Sequence, residues 1–272
     1  MNKFIWVFIL LAGIGPVYSQ NALTEADYLK KDSLLWAEYE NRQEELSRIW
    51  EAMPDKKDSI QHVFDEMSRK TSEKNIQLAI EYASVPSGLQ RLYMVRLHLP
   101  KDTLKSILDA LTPEMQESFY GKNIREHLQT EQIEAGDSIY AFPCVRTDGT
   151  PFDWSCTEGK QLLILYGGLG CMGKHGRNEL ELLYKQTSRD NLLVIVYWPC
   201  SALKYLQQVK EEYPSDYIFV SDFKQDASPM KIKYGTQATP TCFLTDEQHI
   251  VKVKCTGLHM ELFNPYIQRT GL

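Results

Sequence analysis

The stretch that decides the fold runs from Gln161 to Tyr184 and reads QLLILYGGLGCMGKHGRNELELLY. Its first part, Leu162 to Tyr166, is a continuous apolar run that stops at a glycine-rich turn, which is typical of a buried strand. The part after Gly173 repeats apolar residues at helical spacing. Cys171 is therefore predicted to lie where a strand passes into a helix. Unpaired amides and the positive end of the helix dipole favour a thiolate there, so Cys171 is the candidate nucleophile.

Lys174 stands three residues after Cys171, where a second cysteine would be able to clear a mixed disulfide. A lysine favours the thiolate by its charge but has no sulfur with which to resolve the bond. Cys200 follows the next apolar run, Leu192–Trp198. The two runs are expected to be parallel neighbours whose carboxyl ends share one sheet edge, so Cys200 is either a redox partner of Cys171 or a small buried packing residue.

The N-terminus carries a targeting pattern. Lys3 precedes an apolar core and small residues that end at Ser19, which predicts a signal peptide over residues 1–19. The apolar core is shorter than the roughly 20 residues that a membrane-spanning helix needs, which argues against a retained anchor. After cleavage the chain is expected to be periplasmic or secreted, where cysteines can form disulfides.

Residues 22–134 are predicted to form an all-helical domain. Thr24 is a plausible cap for a long helix that runs toward Met53 with one apolar stripe. Prolines separate several of the later segments. Further helices are expected over Ser59–Arg69, Ser72–Ala83, Ser87–His98, Lys101–Ala110 and Pro113–Gln129. The aromatic residues of this half are interpreted as core packing rather than as a ligand groove.

Strand-like patterns begin after Gly136. Asp148-Gly149 between two short runs predicts a hairpin, and Tyr217–Val220 predicts a further strand. The runs that contain Cys242 and Cys255 flank a polar turn and predict a terminal hairpin. The turn length decides whether these two cysteines are directly opposite or diagonal. Both a structural disulfide and simple packing stay open for them.

The order strand, cysteine-bearing turn, helix, parallel strand, helix and Ala238-Thr239-Pro240-Thr241 before a hairpin resembles the thioredoxin fold. In particular it is similar to TlpA/ResA-type thiol-disulfide oxidoreductases and the related AhpC/TSA domains. The resemblance covers residues 136–272 and implies an α/β domain, with a central mixed sheet flanked by helices, after the all-α domain. It also implies a cis Thr239–Pro240 bond beside the cysteine. The departures from the family are Gly170, where the family has tryptophan, and Lys174, where it has the second cysteine.

The resemblance implies thiol-disulfide exchange. Cys171 would attack, Lys174 would stabilise its thiolate, and Cys200 or an external thiol would resolve. Thr239, Pro240 and Gly170 would line the substrate side and align the incoming disulfide. The implied partners are protein thiols or disulfides and an external reductant such as a membrane thiol-disulfide relay.

Two other functions are weighed against exchange. The missing second cysteine and tryptophan favour a degenerate binding module for a protein or peptide. A one-cysteine peroxidase ranks third, because the Pro-x-x-x-Thr-x-x-Cys pattern of the AhpC/TSA relatives is absent around Cys171.

Composition excludes other classes. The formal net charge is −6 and the basic residues are scattered, so no nucleic-acid partner is expected. The six cysteines and six histidines form no Cys-x-x-Cys or His-x-x-x-His unit, so neither a metal site nor another cofactor is expected.

Overall fold

The computed structural model describes residues 23–268, so the predicted signal peptide lies outside the described residues. Helices fill the first half of that range, and strands alternate with helices in the second. The helices are α1 (Glu25–Ala52), α2 (Lys57–Glu81), α3 (Pro86–Val95), α4 (Lys101–Asp109), α5 (Pro113–Gln116), α6 (Phe119–Gln129), α7 (Gly173–Lys185), α8 (Leu203–Glu212), α9 (Pro229–Ile232) and α10 (Met260–Phe263). The strands are β1 (Val145–Arg146), β2 (Gln161–Tyr166), β3 (Leu192–Tyr197), β4 (Ile218–Ser221), β5 (Thr241–Thr245) and β6 (Val251–Thr256). Within residues 23–268 no helix has the length and apolarity needed to cross a bilayer.

The first helix begins and ends close to where the sequence predicts. The Thr24 hydroxyl accepts a hydrogen bond from the Asp27 amide at 3.1 Å, and α1 ends at Ala52. The two helices expected over Ser59–Arg69 and Ser72–Ala83 are one helix, α2. The predicted division is wrong because neither glycine nor proline lies between them, and serine or threonine alone lowers helix propensity only slightly.

The single helix expected over Pro113–Gln129 is two helices, α5 and α6. The Ser118 hydroxyl accepts from the Gly121 amide at 3.3 Å and donates to the Met115 carbonyl at 2.6 Å. These side-chain bonds replace the backbone bonds that would have continued the helix. Helices α2, α3, α4 and α6 enclose an apolar core with the fully buried side chains Ala79, Leu92, Leu104 and Ile124.

The described strands form one mixed sheet in the order β1–β4–β3–β2–β5–β6. Strand β2 is parallel to β3, as the two apolar runs predict, and β3 is also parallel to β4. Strand β5 is antiparallel to both β2 and β6, and β1 is antiparallel to β4. Every residue of β2 is buried, because α7 and α8 pack on one face and Phe142 and Tyr234 on the other. The predicted mixed sheet with flanking helices is confirmed.

The hairpin predicted around Asp148-Gly149 is shorter than expected. The Arg146 amide donates to the Thr150 carbonyl at 2.9 Å, which closes the turn. Strand β1 then has only two residues and extends the sheet by pairing with β4. On the second arm Pro151 forms an isolated bridge with Val145, and the Phe152 amide donates to the Cys144 carbonyl at 2.8 Å.

The terminal hairpin fixes the register of the last two cysteines. Cys242 in β5 lies directly opposite Cys255 in β6, which is one of the two arrangements that the sequence left open. A bulge between Leu244 and Thr245 absorbs the extra residue of the turn. Both cysteines are free thiols in the structure.

A buried arginine joins the helical half to the sheet half. Arg96, in the short turn after α3, is 0% exposed. Its guanidinium donates to the Tyr93 carbonyl at 2.9 Å, to Gln237 Oε1 at 2.9 Å and to the Lys231 carbonyl at 2.5 Å. The helical half therefore holds the segment that leads into the Thr239–Pro240 loop.

Candidate active site

Cys171 lies in the turn between β2 and α7, and its side chain is exposed. Strand β2 ends at Tyr166, and α7 begins at Gly173. The turn is held by its own backbone, since the Met172 amide donates to the Gly168 carbonyl at 3.0 Å. Arg177 adds a second tie by donating from Nη1 to the Leu169 carbonyl at 2.9 Å. The predicted strand-to-helix placement of the thiol is confirmed.

The Thr239–Pro240 bond is cis, as the resemblance implies, and it lies beside the cysteine. The Cys171 Sγ atom is 3.5 Å from Thr239 Oγ1. The loop is tied to the sheet on its far side, because the Gly257 amide donates to the Pro240 carbonyl at 2.8 Å. Thr239 is exposed and Pro240 is buried, so an incoming group meets the threonine and the thiol together.

Gly168 lets this loop approach the turn. Its φ is +83°, and a Cβ atom at this position would lie 2.3 Å from Pro240 N. No side chain fits into that space, and L residues rarely adopt that backbone conformation. Glycine at position 168 is therefore a steric requirement of the contact with Pro240.

Lys174 and His175 begin the exposed face of α7. The Lys174 side chain is exposed, and no hydrogen bond or ion pair joins it to another of residues 23–268. His175 is exposed and faces Glu179, with 3.6 Å between Nε2 and Oε1. His175 is therefore a helix-surface residue, and Lys174 is free to approach a charged group at the mouth of the site.

Cys200 follows β3 on the same sheet edge as Cys171, but it is only 6% exposed. Its Sγ atom contacts the Ser221 hydroxyl at 3.5 Å and the Ala202 carbonyl at 3.6 Å. The structure therefore packs Cys200 in the core beneath α8, as a free thiol. It places Cys171 against Thr239 and Cys200 against Ser221, and does not bring the two sulfurs together.

Gly170 is exposed, and a Cβ atom there would lie 2.9 Å from the Tyr213 hydroxyl. Tyr213 thus stands over the position where the similar family carries tryptophan. The Arg177 guanidinium lies 5.6 Å from the Tyr213 ring centre. Neither residue could be found from the sequence, because Tyr213 is at the end of α8 and no motif connects it with the turn.

A cavity of about 850 Å³ opens beside this turn, between α7 and the segment from α8 to β4. Leu169, Arg177 and Tyr213 form its wall nearest to Cys171. Tyr184 and Tyr217 add aromatic surface on the far side, so the cavity has both apolar and charged lining.

Two further cysteines stand apart from the site. Cys144 is buried, and burial raises the pKa of its thiol to about 12, so it is inert at neutral pH. Cys156 is exposed in the short turn of Trp154–Thr157. Within the described residues no group of three histidine, cysteine or carboxylate side chains is placed to hold a metal ion.

No protein-family model matches the chain, and no curated protein matches it. Solved structures resemble its second half. The C-terminal domain of a putative thiol-disulfide oxidoreductase from Bacteroides thetaiotaomicron is 17% identical, covers 48% of this chain and 92% of its own, and has a TM-score of 0.42. The thioredoxin domain of a thiol-disulfide oxidoreductase from Bacteroides vulgatus is 17% identical over 49% and 96% of the two chains, with a TM-score of 0.43.

A putative thiol:disulfide interchange protein DsbE from Chlorobium tepidum is also 17% identical, over 49% of this chain and 94% of its own, with a TM-score of 0.40. At such low identity a likeness concerns fold and not activity. The fold is decided by the strand order, by the cysteine-bearing turn after β2 and by the cis proline before β5. The second half of the chain is a thioredoxin-like α/β domain, and an all-helical region precedes it.

Proposed function

We propose that this chain is an exported protein of the TlpA/ResA type that exchanges thiols and disulfides through Cys171. In this proposal residues 1–19 are removed, residues 22–134 form the helical domain and residues 136–272 form the thioredoxin-like domain. One observation carries it: an exposed thiol at the start of a helix lies 3.5 Å from the threonine of a cis Thr-Pro loop. A cysteine that only fills space in the core would be buried and would not lie beside the cis Thr239–Pro240 loop.

The chemistry begins with the Cys171 thiolate. It attacks one sulfur of a substrate disulfide, a new S–S bond forms, and the other substrate sulfur leaves as a thiolate that takes up a proton. The exposed Thr239, which the buried Pro240 holds beside Cys171, aligns the substrate chain. Gly170 lines the substrate side, and the positive charge of Lys174 stabilises the Cys171 thiolate.

A second thiol must then attack the mixed disulfide and release Cys171. An external thiol is the simpler agent, because Cys200 is buried and its sulfur faces Ser221. Cys200 is the intramolecular alternative, and it would have to move from that position. The partners proposed are therefore a protein disulfide as substrate and a separate thiol donor, such as a membrane thiol-disulfide relay, as reductant.

The experiment is insulin reduction with dithiothreitol as the electron source, using mature protein and three single variants. We expect Cys171→Ser to abolish the protein-dependent rate and Cys156→Ser, which removes an exposed thiol elsewhere, to leave it unchanged. Cys200→Ser keeps the rate if an external thiol resolves the intermediate and loses it if Cys200 does. An unchanged rate in Cys171→Ser overturns the proposal.

A binding module is the second candidate. It is favoured by one specific observation, namely that Lys174 stands exposed where a resolving cysteine would complete the pair. A folded wild-type protein that binds reduced and oxidised peptide equally, and shows no turnover with dithiothreitol, would support this function instead.

A further inference from the structure

A second pair of thiols lies outside the Cys171 site, on the last two strands. Cys242 and Cys255 are directly opposite in the antiparallel pairing of β5 and β6. The Gly257 amide donates to the Pro240 carbonyl, which makes that pair a hydrogen-bonded one. Because such pairs alternate along the ladder, Cys242 and Cys255 also form a hydrogen-bonded pair, with an expected Cα separation of about 5.5 Å. This separation is within the range that a disulfide spans.

The two thiols differ in their access to solvent. Cys242 is 0% exposed in the core between the sheet and the helices on its face. Cys255 is half-buried, and its thiol donates to the Gly257 carbonyl at 3.6 Å. An oxidant can therefore reach Cys255 first, while Cys242 is held ready directly across the strand pair.

The surroundings of Cys255 stabilise its thiolate. The hydrogen-bonding contact with the Cys242 side chain favours the thiolate most, and the His259 ring charge and backbone amide act in the same direction, against the opposing effects of burial and of Glu261. Together they lower the pKa of Cys255 to about 7. The same contact and burial raise the pKa of Cys242. The half-buried Cys255 is thus the nucleophile, and the fully buried Cys242 is the partner that keeps its proton.

We propose that Cys242 and Cys255 form a second redox centre, a cross-strand dithiol that small-molecule or protein disulfides oxidise reversibly. The Cys255 thiolate attacks the oxidant disulfide, forming a mixed disulfide and releasing one thiolate. Cys242 then loses its proton and attacks Cys255 Sγ, forming the cross-strand bond and releasing the second thiolate. The two cysteines give up two electrons, and one external disulfide becomes two thiols.

This centre does not depend on the function proposed for Cys171. It uses neither the turn after β2 nor the Thr239–Pro240 loop, and it contains its own resolving thiol. Its position has a structural consequence, since Cys242 follows Pro240 by two residues, and Gly257, directly after β6, donates to the Pro240 carbonyl. Oxidation would cross-link the hairpin that supports the cis-proline loop.

The test is a tryptic disulfide map after oxidation with glutathione disulfide and alkylation of the remaining thiols. Trypsin places every cysteine of this chain on a separate peptide, because a lysine or arginine lies between each consecutive pair. We expect a linked pair of peptides, Tyr234–Lys252 with Cys255–Arg269, that dithiothreitol separates. The map also identifies a Cys171–Cys200 bond as a different pair, so the two proposals fail independently.

The Cys171→Ser variant is the matched control, and it should give the same linked pair. In Cys242→Ala, Cys255 should instead retain glutathione as a persistent mixed disulfide. Folding of both variants is checked by circular dichroism. Full alkylation of Cys255 in oxidised wild type, or a persistent glutathione adduct on it, overturns the proposal.

A second measurement does not depend on oxidation. The rate of Cys255 alkylation by iodoacetamide should rise with a midpoint near pH 7 in the wild type, where half of the thiol is ionised. Removing the donor in Cys242→Ala should lower the rate at pH 7 by about threefold or more, since that hydrogen bond is the largest cause of the lowered pKa. An unchanged midpoint in this variant contradicts the assigned pairing of the two thiols.

Discussion

Replacing Gly168 with alanine separates the two reasons for which the turn before Cys171 needs glycine. The added methyl group would lie 2.3 Å from Pro240 N and 2.5 Å from Pro240 Cβ. The backbone there also has a φ of +83°, which L residues rarely adopt. Gly159→Ala is the matched control, because its φ is +72° and no atom lies within 4 Å of the added carbon.

The two variants share the backbone cost and differ in the steric cost. A left-handed backbone costs an L residue about 1–2 kcal/mol, and alanine stiffens the unfolded chain equally in both variants. Overpacking adds about 1–3 kcal/mol at Gly168 alone, because its neighbour is backbone that cannot rotate away. We therefore expect Gly168→Ala to lower the free energy of unfolding by about 2–5 kcal/mol and Gly159→Ala by at most about 2 kcal/mol.

Equilibrium unfolding in urea measures both values, and the m-value shows whether the unfolding remains two-state. Insulin reduction provides the functional comparison, since displacement of Pro240 should lower the rate only in Gly168→Ala. Equal losses of stability in the two variants would refute the argument, because they would mean that a methyl group at position 168 does not clash with Pro240.

Three further predictions concern the junction and the site. Arg96→Ala removes a buried guanidinium together with its three hydrogen bonds and should cost about 3 kcal/mol or more in urea unfolding; a loss below about 1 kcal/mol contradicts the assigned bonds. Burial lowers the pKa of Lys231 to about 8. Between pH 8 and 10 the unfolded chain still binds that proton and the folded chain does not. The free energy of unfolding should therefore rise by about 2 kcal/mol over this range relative to Lys231→Met, and parallel pH dependences of the two proteins would contradict the lowered pKa. Lys174→Cys restores a resolving thiol three residues after Cys171 and should increase insulin reduction over the wild type, while an unchanged rate would show that α7 does not present the new thiol to Cys171.

Much of the fold could be predicted from local patterns. The apolar runs of β2 and β3 and the helix between them specify parallel neighbours, and the structure has them. The long first helix with its Thr24 cap follows from the same kind of evidence. The errors lie at element boundaries, where α2 is continuous and Ser118 divides α5 from α6. A single side-chain hydrogen bond decides such a boundary, and hydrophobic periodicity does not contain it.

The site was predicted only in part. Cys171 and the cis Thr239–Pro240 bond are where the sequence and the resemblance put them. The sequence analysis missed the position of Tyr213 over Gly170 and the hydrogen bond from Arg177 to the Leu169 carbonyl. Both depend on how α8 and α7 lie across the sheet. The same is true of Arg96, whose burial results from packing between the two halves of the chain.

The sequence by itself determined which residues form the buried strands and which thiol begins the helix after the first of them, because apolar periodicity and turn residues act over a few neighbours. Only the tertiary structure decided which sulfurs meet. Cys200 is turned toward Ser221, whereas Cys242 faces Cys255, and both outcomes depend on strand register and on helix placement. The physical reason is that a sulfur's accessibility and its partner are set by contacts between segments far apart in the chain, which local residue patterns do not encode.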